Sequence, residues 1–306
     1  MYARILVPLD GSKAAEAALP LALALAVRWG AEIEVVAVPV EKESRASVES
    51  YLAALRERMA VGGLVNQLRT HLLSAGEPTA RILERLAASH RDLVVMTTRG
   101  RGAVRRAWLG STADGVVRAS PVPVLLIPPD RGPNPDGGAA ADLEKDGATG
   151  TDAVAPPAPF RRVVLPMDGS DEAERMLEHT APLLEASDPE WILLRVIPPF
   201  VPGGSPYLPH MVRDLPEQTQ VHAAAQEYLD RMAESVPTGR ARTRVVTVGQ
   251  PALGILQVAE EEGADLIAMP TAGRGGVSRL LLGSVADKVI RNSEVPVLVS
   301  RHSGEG

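Results

Sequence analysis

The chain has 306 residues, enough for two domains, and it is 45% apolar and 23% charged, which excludes a disordered chain. Its formal net charge of −6 and aromatic content of 3% argue against a nucleic-acid-binding protein, because such proteins need basic and often aromatic surfaces. It contains no cysteine, which excludes disulfides, thiol nucleophiles and thiolate metal sites and favours a cytoplasmic location.

The first predicted elements are a strand over 3–9 and a helix over 12–29. This helix contains the longest apolar run, residues 18–27, which is too short to span a bilayer. A signal peptide is the alternative interpretation, but Asp10, Lys13 and Glu16 come before the run and favour a buried helix. We therefore expect no membrane partner.

Four more strands and three more helices follow in alternation. The strands are predicted over 32–38, 64–73, 92–97 and 122–127, and the helices over 46–60, 78–89 and 111–119. The strands are almost entirely apolar, as expected of a parallel sheet that is covered on both faces. This alternation predicts a doubly wound α/β domain, with an open sheet of five parallel strands flanked by helices.

A segment of different composition, residues 130–159, separates the two halves of the chain. It consists mainly of Ala, Gly, Pro and Asp, with Leu143 and Val154 as its only larger aliphatic residues. Such a segment cannot bury enough apolar surface to fold, so we interpret it as a flexible linker. The predicted domains are therefore 1–129 and 160–306.

The second half repeats the first. "RILVPLDGS" ends at Ser12 and "RVVLPMDGS" ends at Ser170, a separation of 158 residues. Gly100 and Gly273 lie in matching loops that are 173 residues apart, so the second copy carries 15 extra residues. We place them in the segment 198–216, which is rich in proline and glycine. The sequence thus predicts two tandem domains of the same fold.

The carboxyl ends of parallel strands meet at one edge of a sheet, where ligands of doubly wound folds bind. In the first copy these ends carry Asp10, Val38 and the Gly100 loop, which we expect to converge on one crevice. Glycine permits a positive φ that turns N–H groups inward to form an anion nest, and Gly110-Ser111 then opens a helix whose N-terminus favours phosphate.

The alternative is that the glycines only form turns and that Ser111 and Ser284 only cap their helices. The same spacing, a glycine followed after nine residues by Gly-Ser, occurs in both copies. Because the loop is repeated at a similar position after an aspartate-ended strand, we favour the functional interpretation.

Several motifs resemble those of the universal stress protein family. In the first copy they are "VPLDGS", Glu77-Pro78, "TRGRGAVRRAWLGSTAD" and "SPVPVLLI"; in the second they are "LPMDGS", "GQP", "GRGGVSRLLLGSVADKVIR" and "VPVLV". The resemblance covers both halves and omits only the linker and the insertion. It implies a five-stranded α/β fold and, as in many members, ATP binding through Gly-x-x-Gly-(nine)-Gly-Ser/Thr.

The resemblance also implies roles for particular residues. Asp10 and Asp168 would meet the adenosine, and Val38 and Val196 would offer backbone contacts to adenine. The residues that would hold phosphates are Gly100, Gly110, Ser111 and Thr112 in the first copy and Gly273, Gly283, Ser284 and Val285 in the second. By the same resemblance the last strand of a domain pairs across a dimer contact, which predicts an intramolecular pseudo-dimer and leaves a further homodimer open.

The chain departs from the family pattern at its first glycine, which is Thr97 in one copy and Pro270 in the other. Thr97 keeps its N–H group but adds a side chain, whereas Pro270 has no N–H. Asp10 and Asp168 could each bind Mg²⁺ with the nucleotide, although a turn or N-cap role would equally explain them. The arginines of the glycine loops could meet a triphosphate, but a solvated basic loop is the simpler interpretation of each.

Three functions remain open. The favoured one is a stress-response regulator that binds ATP, with or without Mg²⁺, in two sites. The second is an interaction scaffold of the same fold with vestigial sites. The third, an ATP-consuming enzyme, is disfavoured because we find no Walker motif, no Gly-x-Gly-x-x-Gly after the first strand, and no histidine with a metal-binding or catalytic spacing. We therefore expect no catalysis beyond slow, incidental ATP hydrolysis.

Overall fold

The computed structural model describes residues 2–40, 44–60, 68–88, 92–99, 109–128, 160–184, 188–199, 216–273 and 282–301. The predicted linker 130–159 and most of the predicted insertion lie outside these residues, as does Gly100. Among the helices in the described part of the chain, none is long and apolar enough to cross a membrane.

The first half has the five strands that the sequence predicts, and all but one of its predicted helices. Its elements are β1 (Arg4–Leu9), α1 (Lys13–Glu16), α2 (Leu19–Trp29), β2 (Glu32–Ala37), α3 (Arg45–Ala60), β3 (Leu68–Leu72), α4 (Pro78–Ala88), β4 (Leu93–Thr97), α5 (Ser111–Ala119) and β5 (Val124–Ile127). The one helix predicted over 12–29 is wrong, because the structure divides it into α1 and α2. Pro20 lies in the first turn of α2, where its missing N–H is tolerated but would interrupt a continuous helix.

The second half repeats this order. Its elements are β6 (Arg162–Pro166), α6 (Asp171–Leu184), β7 (Glu190–Ile197), α7 (Pro216–Ala233), β8 (Arg240–Thr247), α8 (Pro251–Glu261), β9 (Leu266–Pro270), α9 (Ser284–Asn292) and β10 (Val297–Ser300).

All strands belong to one ten-stranded sheet with the order β3-β2-β1-β4-β5-β10-β9-β6-β7-β8. Within each half all neighbouring strands are parallel, which confirms the predicted five-stranded α/β domains. The halves meet at β5 and β10, the only antiparallel pair in the described sheet, where Leu125 lies opposite Leu298. Pairing these apolar strands covers two edges that would otherwise attract other chains.

Each face of the sheet carries one apolar cluster that extends through both halves. One cluster lies under α1, α2, α3, α6 and α7 and includes Leu125 and Leu298. The other lies under α4, α5, α8 and α9 and includes Leu126 and Val297. These four side chains at the joint are almost completely buried. The joint between the halves is therefore part of the core on both faces.

An aspartate clamps the central strands of each half at their amino ends. Asp92 accepts hydrogen bonds from the backbone N–H of Ala3 at 2.8 Å and of Arg4 at 3.0 Å. Asp265 accepts in the same way from Arg161 at 2.7 Å and Arg162 at 3.0 Å. Burial raises the pKa of Asp265, although the backbone bonds oppose that shift. The repeated aspartates before β4 and β9 thus have a structural role.

Beyond these clamps the central strands separate. β1 pairs with β4 at only two residue positions, Ile5 and Leu6, whereas it pairs with β2 along all six of its residues. β6 and β9 likewise pair at only two positions, Val163 and Val164. The strand order changes direction at these two places, so a crevice opens at the carboxyl ends of β1 and β4 and of β6 and β9.

Candidate functional site

The aspartate that follows the first strand of each half holds a tight turn. Asp10 Oδ1 accepts a hydrogen bond from the Ser12 N–H at 2.9 Å, and Asp168 Oδ1 accepts one from the Ser170 N–H at 3.0 Å. The glycines between them, Gly11 and Gly169, have φ of 78° and 76°, which other residues rarely adopt. The turn role that the sequence left open is therefore observed for one oxygen of each carboxylate.

The other oxygen of Asp168 lies against the glycine loop. A Cβ atom at Gly273 would be only 2.3 Å from Asp168 Oδ2, so no side chain fits at this position without a rearrangement. The structure thus brings together two predicted site residues, one after β6 and one after β9. Gly100, the matching glycine of the first half, lies outside the described residues.

The second glycine of each loop closes the loop onto the end of the preceding strand. The Gly110 N–H donates to the Thr98 carbonyl at 2.8 Å, and the Gly283 N–H donates to the Thr271 carbonyl at 2.7 Å. Gly110 has φ −63° and ψ 147°, and Gly283 has φ −62° and ψ 145°. Both glycines therefore have the extended backbone angles that an N-cap residue takes before its helix begins, and neither has the positive φ of an anion nest.

These glycines, and not the serines after them, are the N-cap residues of α5 and α9. A glycine N-cap has no side chain with which to cap its helix, and Ser111 and Ser284 are exposed residues of the first turn. By contrast, the Ser12 hydroxyl caps α1 by accepting from the Ala15 N–H at 3.1 Å. The alternative that Ser111 and Ser284 serve as caps is therefore wrong. Thr112 and Val285 follow them, half-buried in the same turns.

The direction of the backbone explains why position 97 matters. The Thr98 N–H donates to the Ile127 carbonyl of the neighbouring strand β5 at 3.1 Å. The matching Thr271 N–H donates to the Ser300 carbonyl of β10 at 2.9 Å. Successive N–H groups of a strand point to opposite sides. The N–H of Thr97 therefore faces β1 and the crevice, whereas Pro270 has no hydrogen to present on that side. The Thr97 hydroxyl donates to the Arg99 carbonyl at 2.6 Å and lies within its own loop.

Val38 and Val196 lie at the ends of β2 and β7 and are half-buried against the cluster under α4, α5, α8 and α9. A Cβ atom at Gly254 of α8 would lie 3.3 Å from Val196 Cγ1, so this helix approaches the valine closely. The equivalent residue of α4, 173 positions earlier, is Arg81. The two halves therefore differ in sequence at this helix position, and the close approach is seen at Val196.

A tyrosine–glutamate pair lies beside each crevice, and neither pair was predicted from the sequence. The Tyr51 hydroxyl donates to Glu16 at 2.9 Å, and the Tyr228 hydroxyl donates to Glu174 at 3.0 Å. Burial and the bonded carboxylate both raise the pKa of each tyrosine. Glu16 and Glu174 keep the 158-residue spacing of the repeat, which was the available signal.

The remaining candidates form no metal-binding group in the described part of the chain. No three His, Asp or Glu side chains there are arranged to hold a metal ion. Of the histidines, the His222 ring lies 2.7 Å from the Thr247 hydroxyl, and His71 lies 3.9 Å from Glu34. Trp108 and most of the loop arginines lie outside the described residues.

Comparisons with known proteins identify the family of this chain. The model of the "Universal stress protein family" matches residues 1–128 and 159–301. A universal stress protein of Methanocaldococcus jannaschii is 33% identical over 142 residues, which cover 46% of this chain and 81% of that protein. One from Mycobacterium bovis is 28% identical over 212 residues, 69% of this chain, but the match spans only 62% of that relative.

A solved structure extends the likeness to almost the whole chain. The universal stress protein from Archaeoglobus fulgidus has a TM-score of 0.61 and covers 97% of this chain and 98% of its own, with 22% identity, so it shares the fold. Because the family model matches both halves of the sequence, and because both halves have the same five-stranded α/β structure, this chain belongs to the universal stress protein family.

Proposed function

We propose that this protein is a stress-response regulator that binds one adenine nucleotide, ATP, in each half. The observation that carries the proposal is the pair of helices α5 and α9, which both begin at a glycine N-cap with no capping side chain. Their first N–H groups and their helix dipoles favour an anion. Both helices begin where the central strands separate, which is where ligands of this fold class bind.

The residues near each crevice fit the parts of a nucleotide. Asp10 and Asp168 would hold the ribose through hydrogen bonds to its hydroxyls, and backbone groups at Val38 and Val196 would contact adenine. The phosphates would lie at the N-termini of α5 and α9, next to Gly110 and Gly283. Gly273 fits the same arrangement, because the close approach of its backbone to Asp168 leaves no room for a side chain.

We also propose that the bound nucleotide acts as a signal and is not a substrate. In the described part of the chain no three His, Asp or Glu side chains are grouped so that they could hold a metal ion. The structure therefore offers no support for Mg²⁺ held by the protein alone, and any Mg²⁺ would arrive bound to the phosphates.

The direct test is to purify the protein without added nucleotide, denature it and identify any released compound by mass. Titration calorimetry of the emptied protein should then give two ATP molecules per chain. In the double variant Gly110→Val with Gly283→Val, the added side chains should crowd the phosphate positions and abolish both sites; at Gly283 a Cβ would also lie 3.1 Å from the Thr271 carbonyl oxygen. The control is Gly249→Val, because a Cβ at Gly249 meets no atom within 4 Å.

Two results would contradict the proposal. One is wild-type protein that carries no nucleotide and binds none, which would favour the interaction scaffold with vestigial sites. The other is a folded double variant, checked by circular dichroism, that still binds two ATP molecules. In that case the helix N-termini are not the phosphate sites.

A further inference from the structure

The two crevices differ at one position that lies beside the expected ribose. Arg195 lies in β7 next to Val196, and the equivalent residue of the first half, 158 positions earlier, is Ala37. We propose that Arg195 lets the second site accept an adenine nucleotide that carries an additional phosphate on the 2′ or 3′ oxygen of its ribose. The first site rejects such a nucleotide. This inference rests on the proposed function, since it assigns a ligand class to one of the two nucleotide sites.

Arg195 reaches the turn that carries Asp168. Its Nη1 atom donates a hydrogen bond to the Met167 carbonyl at 2.8 Å, and Met167 directly precedes Asp168. The guanidinium is therefore held at the carboxyl end of β6, next to the strand that it comes from. In the first half, Ala37 is buried and has no charge to place beside the corresponding turn at Asp10.

The Tyr228 ring holds the guanidinium from the helix side. The Arg195 Cζ atom lies 5.9 Å from the ring centroid, within the range of a cation–π contact. Burial is the main cause of the raised pKa of Tyr228, but the charges of Arg195 and Asp168 act on it in opposite directions. Arg195, Asp168 and Tyr228 thus form one cluster, and the arginine is fixed within it.

In the first half the arginine near the tyrosine–glutamate pair comes from helix α3 and not from the strand that corresponds to β7. Arg58 of α3 donates to Glu16 at 2.8 Å, and its side chain is 56% exposed. This cation neutralises the glutamate of the tyrosine–glutamate pair at the surface. It does not bind the backbone turn at Asp10 in the way that Arg195 binds the turn at Asp168.

The chemistry of a ribose phosphate favours the second site. A carboxylate that holds the 2′ and 3′ hydroxyls of a ribose repels a phosphate placed on either of them. A neighbouring guanidinium offsets that charge and can bond the phosphate oxygens. Dinucleotide-binding folds use the same distinction: an acidic residue selects the ribose hydroxyl and an arginine accommodates the ribose phosphate. The second site also lacks the N–H at Pro270, so it has lost a donor near the 5′-phosphates and gained a cation near the ribose.

The test compares ADP with adenosine 3′,5′-bisphosphate and adenosine 2′,5′-bisphosphate. All three carry two phosphates, but each bisphosphate has one of them on the 3′ or 2′ oxygen of the ribose. Calorimetry is done on the full chain with one site silenced: Gly110→Val leaves the second site, and Gly273→Val leaves the first. We expect the preference for a bisphosphate over ADP to be at least about tenfold greater at the second site.

Arg195→Met in the Gly110→Val background should remove this preference, and Arg58→Met is the matched control that should leave it unchanged. If Arg195→Met does not fold, Arg195→Lys takes its place. Lysine keeps the charge without the planar fork, so the preference should shrink, and an undiminished preference would contradict the role of the guanidinium.

The outcomes separate this inference from the proposed function. If ADP binds at both sites with the same preference relative to the bisphosphates, the inference is wrong and the two nucleotide sites stand. A second-site preference that survives Arg195→Met also overturns it. If the wild-type protein binds none of these nucleotides, the proposed function itself fails and the inference fails with it.

Discussion

The two halves of the chain have the same fold but differ where a ligand would touch them. Both keep the parts that build the crevice: the aspartate clamp at Asp92 or Asp265, the loop closure onto a threonine carbonyl, and the helix that begins at a glycine N-cap. They differ at Thr97 and Pro270, at Ala37 and Arg195, and at Arg81 and Gly254.

The repeat therefore preserves the backbone contacts that build the site and varies the residues that line it. The preserved groups bond backbone atoms, so changing them would affect folding in both halves. The varied positions lie at strand ends or, for Gly254, where α8 approaches Val196, so a substitution there changes the lining without removing a ladder bond. We therefore expect two sites of unequal affinity and different ligand preference, and the following experiments test this.

The largest effect should come from separating the halves. We expect proteases to cut between residues 130 and 159, given the composition of that segment, and the nicked halves to remain bound through β5 and β10 in size-exclusion chromatography. Leu298→Asp should make the nicked halves separate, because it places an unpaired charge in the core at a cost of several kcal/mol. Arg301→Ala, which removes only the 3.1 Å bond to the Arg118 carbonyl, is the control.

Dissociation of the nicked wild-type protein would show that the sheet joint is weak. In that case the predicted pseudo-dimer would depend on the covalent linker, and the two halves would have to be compared as independent domains.

Gly273→Val should eliminate the second site and spare the first. The new side chain would collide with Asp168, since even a Cβ atom would lie 2.3 Å from its Oδ2 atom. We expect at least a hundredfold loss of affinity at one site, about 3 kcal/mol, and a calorimetric stoichiometry that falls from two ATP molecules to one. Unchanged affinity at both sites would mean that the ligand does not lie between Asp168 and the glycine loop.

Exchanging the strand-end residues should reverse the order of the two affinities. We expect the first site to be tighter, because Thr97 has an N–H that faces the crevice and Pro270 has none. Pro270→Gly should strengthen the second site and Thr97→Pro should weaken the first. Each change corresponds to one hydrogen bond to a charged ligand, about 1.5–3 kcal/mol or roughly ten- to a hundredfold in affinity.

These affinities can be measured by titrating labelled ATP into full chains in which the other site is silenced. A second site that binds more tightly than the first in the parent chain would contradict the ranking. If Pro270→Gly has no effect, the missing donor is not the cause of any difference.

The smallest effect concerns pH and belongs to the second half alone. Burial lowers the pKa of His179, whose first-half counterpart is Leu21. The unfolded chain therefore binds a proton near pH 6.5 that the folded chain resists, so the free energy of unfolding should fall as the pH drops below about 7. It should stop falling from this cause once the pH is below the pKa of the folded state.

The check is urea unfolding at pH 7.5 and pH 5.5 for the wild-type protein and for His179→Asn. The variant should lose less stability between the two pH values. Equal losses would show that the His179 side chain does not contribute to the pH dependence of stability. The substitution keeps the His179 carbonyl, which accepts a hydrogen bond from the Tyr2 hydroxyl at 2.7 Å and links the two halves.

Much of the fold follows from the sequence, because the signals are local. Apolar strands, helix-length segments and turn residues recur in each half, and most predicted bounds lie within one or two residues of those observed. The helix over 12–29 was wrong since Pro20 divides it. The pairing of the last strands across the joint was expected through family resemblance, and its antiparallel direction was not predicted, because no local pattern of β5 or β10 specifies which strand it pairs with.

The site shows the same division between local signals and tertiary contacts. The sequence by itself determined which residue types follow each strand, including Asp10, Gly110 and Pro270, and the topology placed them at one edge of the sheet. Only the tertiary structure decided that Asp168 lies against Gly273, that the backbone at position 97 faces the crevice, and that Arg195 reaches Met167 and Tyr228. The physical reason is that these contacts join residues far apart in the chain, so they depend on how strands separate and helices pack and not on any local pattern.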